Sequence, residues 1–291
     1  MKDSTSFQVL NVISGKLDAL TPKARMLGTF IMQNPSKAVF MTIKELAEAC
    51  GTSEATVVRF VGTLGYGGYP EFQEALKDFV NTGLSLPDRA AITGIREPGI
   101  DRLHRGVLEE LTNLQFMYET IDVTTMSRFV DYLNDSESVY VIGSRLSFTF
   151  AYFLGWSLTK IRKGITILKG SDSTSLDMLT NANVGSLVVL IATTRYPNEL
   201  IKISKMIRRN GHTLLTITDN KFSPVIAFAD LSLVVPSKSI PFIGNASAMI
   251  AVIQFMVQEL ASRRGDELTL HQRQLEQLYL ENDILFNPDP R

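Results

Sequence analysis

The sequence predicts a small all-α domain joined to a doubly wound α/β domain with a five-stranded parallel sheet. Three observations lead there. Up to about residue 83 the apolar residues recur at helical spacing with no strand-like run. From Ser138 onward, short apolar runs rich in β-branched residues alternate with helical patterns, the signature of βαβ units. Between them, residues 84–100 ("LSLPDRAAITGIREPGI") carry two prolines and two glycines and hold no firm period, which reads as a linker. A chain of 291 residues has room for one substantial core and one small one. The expected boundaries are therefore 1–83 for the helical domain, 84–100 for the linker and 101–291 for the α/β domain.

In the first domain, "LTPKARMLGTFIMQNP" reads as a helix with Thr21 as N-cap and Pro22 in its first turn, stopping before Pro35. The central text follows: "MTIKELAEACGTSEATVVRFVGTLGYGG". Thr42 and Glu45 stand at capping-box spacing, Gly51 sits where a tight turn needs positive φ, and Ser53 can cap a second helix. A turn of three or four residues between two such helices is helix-turn-helix geometry. Ile43, Leu46, Cys50, Val57 and Phe60 point inward, with Ala47 small where the helices cross. The outward face of the second helix begins at Thr52 and presents Ser53, Glu54, Thr56, Val58 and Arg59. Arginine can bridge guanine O6 and N7 in a major groove, and hydroxyls near a helix start can meet phosphates or base edges, so the partner expected is a double-stranded DNA operator. Residues 1–83 hold eight basic and eight acidic side chains, a weaker electrostatic footprint than most DNA-binding domains carry. A dimer would sum weak half-site contacts. Cys50 reads as a core residue.

The run "IKELAEACGTSEATVVRFVGTLGYGGYPEF" resembles the N-terminal domain of RpiR-type bacterial transcriptional regulators, which join a helix-turn-helix to a sugar-isomerase (SIS) domain. One departure is Gln73, where the family often has lysine and a possible phosphate contact. The resemblance extends over nearly the whole chain. It implies a regulator, a repressor rather than an activator, acting as a homodimer or homotetramer.

The α/β domain opens with helical text, "DRLHRGVLEELTNLQFMYETI" and "TMSRFVDYL". Five strands are then expected in "SVYVIG", "ITILKG", "SLVVLIAT", "TLLTITD" and "LSLVV", and a long terminal helix over 245–283 with a break near Gly265. In such sheets ligands bind beyond the carboxyl ends of the strands, near the point where strand order reverses. Two strand ends are candidates: "VYVIGSRLSFTFA" with Ser144, Arg145 and Ser147, and "VLIATTRYPNEL" with Thr193, Thr194, Arg195, Tyr196 and Glu199. Neither a dinucleotide fingerprint nor a P-loop is present, so no cofactor is expected.

The SIS resemblance implies a phosphosugar-binding fold with two motifs. In the first, Gly-x-Gly-x-Ser with Ala four residues on, Gly143, Ser147 and Ala151 match, and Arg145 replaces the second Gly. In the second, Ser-x-Ser-Gly-x-Thr-x-Glu, Ala192, Arg195 and Pro197 depart, Thr194 keeps a hydroxyl and Glu199 matches. Replacing two glycines by arginines exchanges an amide cradle for guanidinium forks, which suit carboxylate or phosphate. The expected ligand is a small anionic metabolite such as a phosphosugar or sugar acid, with Tyr196 walling the pocket. The competing reading pairs Arg195 with Glu199, or with an acid of a neighbouring subunit, in a vestigial site. Ser171, Asp172 and Ser173 offer a possible third wall. Lys202, Lys205, Arg208 and Arg209 read as a solvated helix face, and Asp219 as a structural cap.

Composition bounds the remaining classes. Net charge is −1, with no block of like charges, which excludes a polybasic tail. Cys50 is the only cysteine, the first residues are polar, and no apolar run approaches the ~18 residues of a membrane span. A cytoplasmic location without membrane attachment is expected. His104, His212 and His271 lie apart from any ligand cluster, which makes a metal site unexpected. An aldose-ketose isomerase of the SIS type is the alternative. It needs a general base, and only Glu199 lies inside a matching motif, unless His271 is donated across a dimer interface.

Overall fold

The computed structural model describes residues 8–83, 85–92, 100–170, 172–237 and 246–285. These form two compact units, one of the residues up to 92 and one of those from 100 on.

The first unit is helical: α1 (Gln8–Lys16), α2 (Pro22–Gln33), α3 (Pro35–Ala38), α4 (Ile43–Ala49), α5 (Glu54–Leu64), α6 (Tyr69–Gly83) and α7 (Leu86–Ile92). Local signals set the ends of the middle helices. Thr21 caps α2, accepting from the Ala24 amide, with Pro22 in the first turn where its missing N–H costs nothing. The Thr42–Glu45 capping box opens α4: the Glu45 amide donates to Thr42 Oγ1 at 3.2 Å and the Thr42 amide to Glu45 Oε2 at 2.7 Å. Those bonds hold the Glu45 carboxyl below its ordinary pKa. Ser53 caps α5, and Gly65 ends it at φ 100°. The core gathers Leu27, Ile31, Leu46, Val57, Phe60 and Phe72, with Phe60 and Phe72 meeting edge to face at 6.2 Å. Within the stretch read as linker, α7 turns out helical; its Arg89 is buried and donates to the Asn81 carbonyl, which ties it to α6.

The second unit starts with α8 (Ile100–Thr120) and α9 (Val123–Asp135). Then come β1 (Val139–Gly143), α10 (Leu146–Thr159), β2 (Ile165–Lys169), α11 (Thr174–Thr180), β3 (Leu187–Ala192), α12 (Asn198–Arg209), β4 (Thr213–Thr218), β5 (Leu231–Val234) and α13 (Ala246–Glu281). All five expected strands form, and every pairing is parallel in the order β2-β1-β3-β4-β5. Alternate residues of the strands feed two layers. Val139, Val141, Val189 and Ile217 pack against α9, α10 and α13, while Ile142, Val188, Leu190 and Leu214 pack against α11 and α12. The expected break in α13 falls at Gly265 (φ 45°).

Strand order reverses at β1, whose neighbours are β2 on one side and β3 on the other. The chain after β1 and after β3 leaves toward opposite faces of the sheet there, the arrangement that opens a crevice at the carboxyl edge of such sheets. Gly143 ends β1 without a side chain for a steric reason: a Cβ would stand 2.5 Å from the Ser147 carbonyl oxygen and 2.9 Å from Ala151 Cβ. The first turn of α10 can therefore lie directly against the strand.

Candidate functional site

The helical unit offers one surface. Between α4 and α5 the turn Cys50–Ser53 is held by the Thr52 amide donating to the Ala47 carbonyl at 2.9 Å, with Gly51 at φ 57°. Leu46, Ala47, Cys50, Val57 and Phe60 are buried as expected, Ile43 is half-buried, and Val61 and Leu64 complete the seam. Burial pushes the Cys50 thiol up, away from reactivity. On the open face of α5, Ser53, Glu54, Val58 and Arg59 are exposed and Thr56 half-exposed. Ser53 Oγ and Thr56 Oγ1 lie 2.9 Å apart, and Arg59 Nη2 reaches Thr56 Oγ1 at 3.5 Å, so the three polar groups form one strip along the helix. Thr52 differs from expectation: its hydroxyl is shielded without a hydrogen-bond partner among the described residues, so it sits inside the turn rather than on the strip. Gln73 also faces inward. Its amide donates to the Val39 and Met41 carbonyls, both at 3.0 Å, bracing the chain that leads into α4.

The second surface is the crevice between the ends of β1 and β3. Arg145 follows β1 at φ 53° and Arg195 follows β3 at φ 67°. Both positions carry glycine in the pattern set out above, and both arginines keep a glycine-like backbone at a cost of about 1–2 kcal/mol each. Side chains spaced far apart in sequence fasten the two loops to each other. Ser144 Oγ donates to Glu199 Oε1 at 2.6 Å, and Ser147 Oγ receives the Thr193 amide at 3.0 Å with the Thr193 hydroxyl at the same distance. The Ser144 hydroxyl holds the Glu199 carboxyl below the usual range, with the charges of Arg145 and Lys202 adding to it.

Behind the second loop lies Asp219, one residue past β4. The Thr194 amide donates to its Oδ2 at 2.8 Å, the Thr194 hydroxyl donates to the same oxygen, and the Tyr196 hydroxyl donates to Oδ1 at 3.0 Å. Burial raises the Asp219 carboxyl, and burial together with the Asp219 charge raises the Tyr196 phenol.

The expected residues thus divide in two. Ser144, Ser147, Thr193, Thr194, Tyr196 and Glu199 are engaged in ties that shape the loops; Tyr196 packs onto the core of the α11–α12 layer rather than standing as an open wall. Arg145 and Arg195 are exposed. Arg195 does not pair with Glu199, which takes the Ser144 hydroxyl, and it makes no hydrogen bond or ion pair among the described residues. Of the third wall, Ser171 lies outside the described residues. Asp172 accepts from the Thr174 amide and hydroxyl and so braces the start of α11. Lys202, Lys205, Arg208 and Arg209 are exposed, with Arg208 paired to Asp230. Asp219 is the group that sequence reasoning undervalued; an acid directly after a buried strand was its one visible signal.

His104 is exposed on α8, and the other two histidines lie at the other edge of the sheet. His212 is buried just before β4, its Nε2 3.0 Å from the Leu179 carbonyl. His271 Nε2 lies 2.9 Å from the Thr159 carbonyl at the end of α10, beside a hollow of about 500 Å³ lined by Ser138, Arg162 and Arg264. No group of three metal-ligating side chains occurs among the described residues, and no described helix is long and apolar enough to cross a membrane.

Residues 7–83 match the helix-turn-helix domain of the rpiR family, and residues 132–262 match the SIS domain. The chain joins an RpiR-family helix-turn-helix to a SIS domain. It is 25% identical over 276 residues to the HTH-type transcriptional regulator HexR of Pseudomonas aeruginosa, an alignment covering 92% of this chain and 94% of that one. Among solved structures, the Vibrio vulnificus NanR protein complexed with ManNAc-6P aligns at a TM-score of 0.55 and 21% identity, over 96% of this chain and 100% of that one. The sugar isomerase domain of an RpiR transcription factor from Sphaerobacter thermophilus gives 0.55 and 21%, over 59% of this chain and 96% of that domain. Those two likenesses establish the shared fold. With the helix-turn-helix and the relatives together, this RpiR-type, SIS-containing chain is a transcriptional regulator.

Proposed function

We propose that this regulator represses transcription under the control of a small anionic metabolite, a phosphosugar or sugar acid, taken at the crevice between β1 and β3. The observation that carries the reading is a pair of exposed guanidinium groups at the switch point of the sheet, one of them, Arg195, without a partner among the described residues. Two charged forks held at strained backbone positions are a costly arrangement for a vestigial site, and a bidentate anion would satisfy them. The similar fold of NanR, complexed with ManNAc-6P, supports a phosphosugar class. Repression is the sign implied by the family resemblance.

In this reading Ser53, Glu54, Thr56, Val58 and Arg59 face the major groove, with Arg59 on a guanine and the Val58 methyls available to a thymine. The protein works as a homodimer or homotetramer whose paired reading helices sum weak half-site contacts. Effector and operator affinities are coupled through two global states, so each changes the other by the same factor.

An isomerase is disfavoured by the acid–base groups at the crevice. Glu199 is tied to Ser144, Asp219 is sealed behind the loop, and His212 and His271 lie at the far edge of the sheet. The test is a thermal-unfolding screen against phosphosugars, sugar acids and other carboxylates, with Arg195→Ala alongside. A ligand at 100 times its Kd should stabilise the native state by about 2.7 kcal/mol, and the variant should abolish the shift. No shift with any anion would leave the SIS domain without a sensing role.

A further inference from the structure

The loop after β3 places a bulky residue where the backbone asks for glycine, and something must hold it there. Arg195 stands at φ 67°, exposed, with no partner of its own among the described residues. The residues on either side of it are both tied to one carboxylate, through the Thr194 amide and hydroxyl to Oδ2 of Asp219 and the Tyr196 hydroxyl to Oδ1. Asp219 follows β4, the neighbour of β3 in the sheet, so its anchor point is a strand end fixed by the parallel ladder Leu187–Ala192 against Thr213–Thr218.

We propose that Asp219 is a positioning residue: it clamps the loop on both sides of Arg195, holds that residue in the left-handed conformation, and so keeps its guanidinium exposed and, among the described residues, unpaired for a ligand at the crevice. The inference deepens the sensing role proposed above, and rests on it for its functional consequence, but the clamp itself can be tested without any ligand. A free loop would relax Arg195 to negative φ, since an L side chain gains stability by leaving the left-handed region and glycine does not. The Asp219 ties oppose that relaxation. In a chain with glycine at 195 no such opposition is required, so the acid and the arginine form one device.

This predicts a coupling that an ordinary strand cap would not show. Asp219→Asn is made in the full-length protein with Arg, Ala or Gly at 195, and apparent Tm is compared across the six chains. Alanine removes the guanidinium but keeps the left-handed strain; glycine removes both. The substitution should lower Tm by about 4 °C or more with Gly at 195, and by less than half as much with Arg or Ala, where relief of the left-handed strain offsets part of the lost ties. An equal drop in all three backgrounds would make Asp219 a simple cap of β4 and overturn the proposal. A drop larger with Arg than with either Ala or Gly would also overturn it, by assigning the effect to attraction between the Asp219 and Arg195 charges. If Asp219→Asn does not fold with Arg at 195, Tyr196→Phe removes a single tie and is read across the same three backgrounds, with the same pattern expected. Failure of every anion in the screen, with the coupling present, would remove the sensing reading and leave the clamp standing.

Discussion

The helix-turn-helix and the switch-point crevice are two solutions to presenting an arginine. Arg59 rides on the regular backbone of α5, and everything that fixes it is near in sequence: the Ser53 cap, the Gly51 turn and the Thr42–Glu45 box. Arg195 sits on a strained turn, and everything that fixes it is remote: Ser147 reaches Thr193 across 46 residues, Ser144 reaches Glu199 across 55, and Asp219 reaches Thr194 across 25. A reading helix must offer a constant surface to a regular groove, and a propagating helix supplies that cheaply. A crevice that closes on a small ion needs groups from several strands, and its loops hold their shape only through cross-links. The expected consequence is that damage to the first region is graded, while damage to the second spreads from loop to loop.

The largest effect should come from the core under the reading helix. Phe60→Ala empties a site that is 1% exposed and should cost about 3–5 kcal/mol in stability, abolishing DNA binding; urea unfolding followed by circular dichroism measures it. A comparable structural test of the crevice is Gly143→Ala, whose Cβ would meet the Ser147 carbonyl oxygen at 2.5 Å. It should cost about 1–3 kcal/mol and also weaken anion binding, because it displaces Ser147, which ties the two loops; a loss of stability with ligand affinity unchanged would break the claim that the loops act together. On the reading helix, Arg59→Ala should cost about 1–3 kcal/mol of operator affinity and relax specificity at one base position, read by competition binding against single-base variants. Uniform loss on every sequence would demote Arg59 to a phosphate contact. The smallest effect is expected at Thr42→Ala, about 1 kcal/mol of stability with the sheet unaffected, a difference that hydrogen exchange localises to α4.

The same contrast decides what can be read from the sequence. The capped helices, the four-residue turn, all five strands, the parallel topology and the break at Gly265 were legible, because caps, periodicity and turn glycines are local signals. The two strand ends were legible as places. Their workings were not: Arg195 was open to pairing with Glu199, and only the tertiary structure assigns Glu199 to Ser144. Arginine carries no signal for positive φ, so the strain at residues 145 and 195 was invisible, and with it the reason for an acid at 219. Helix α7 was hidden by the prolines and glycines around it, and is held by the buried Arg89. Thr52 shows the opposite limit, since spacing alone puts it beside the reading face although its hydroxyl is shielded in the turn.

In the proposed regulation the two regions are joined: an anion held by Arg195 changes how the α5 pair grips DNA. The most direct measurement is operator affinity by fluorescence anisotropy, with the stabilising anion absent and saturating, for the wild type and Arg195→Ala. The affinity should change by about 5–150-fold in the wild type and not at all in the variant, whose affinity without ligand stays near that of the wild type. An operator affinity that the saturating anion leaves unchanged in the wild type would contradict it.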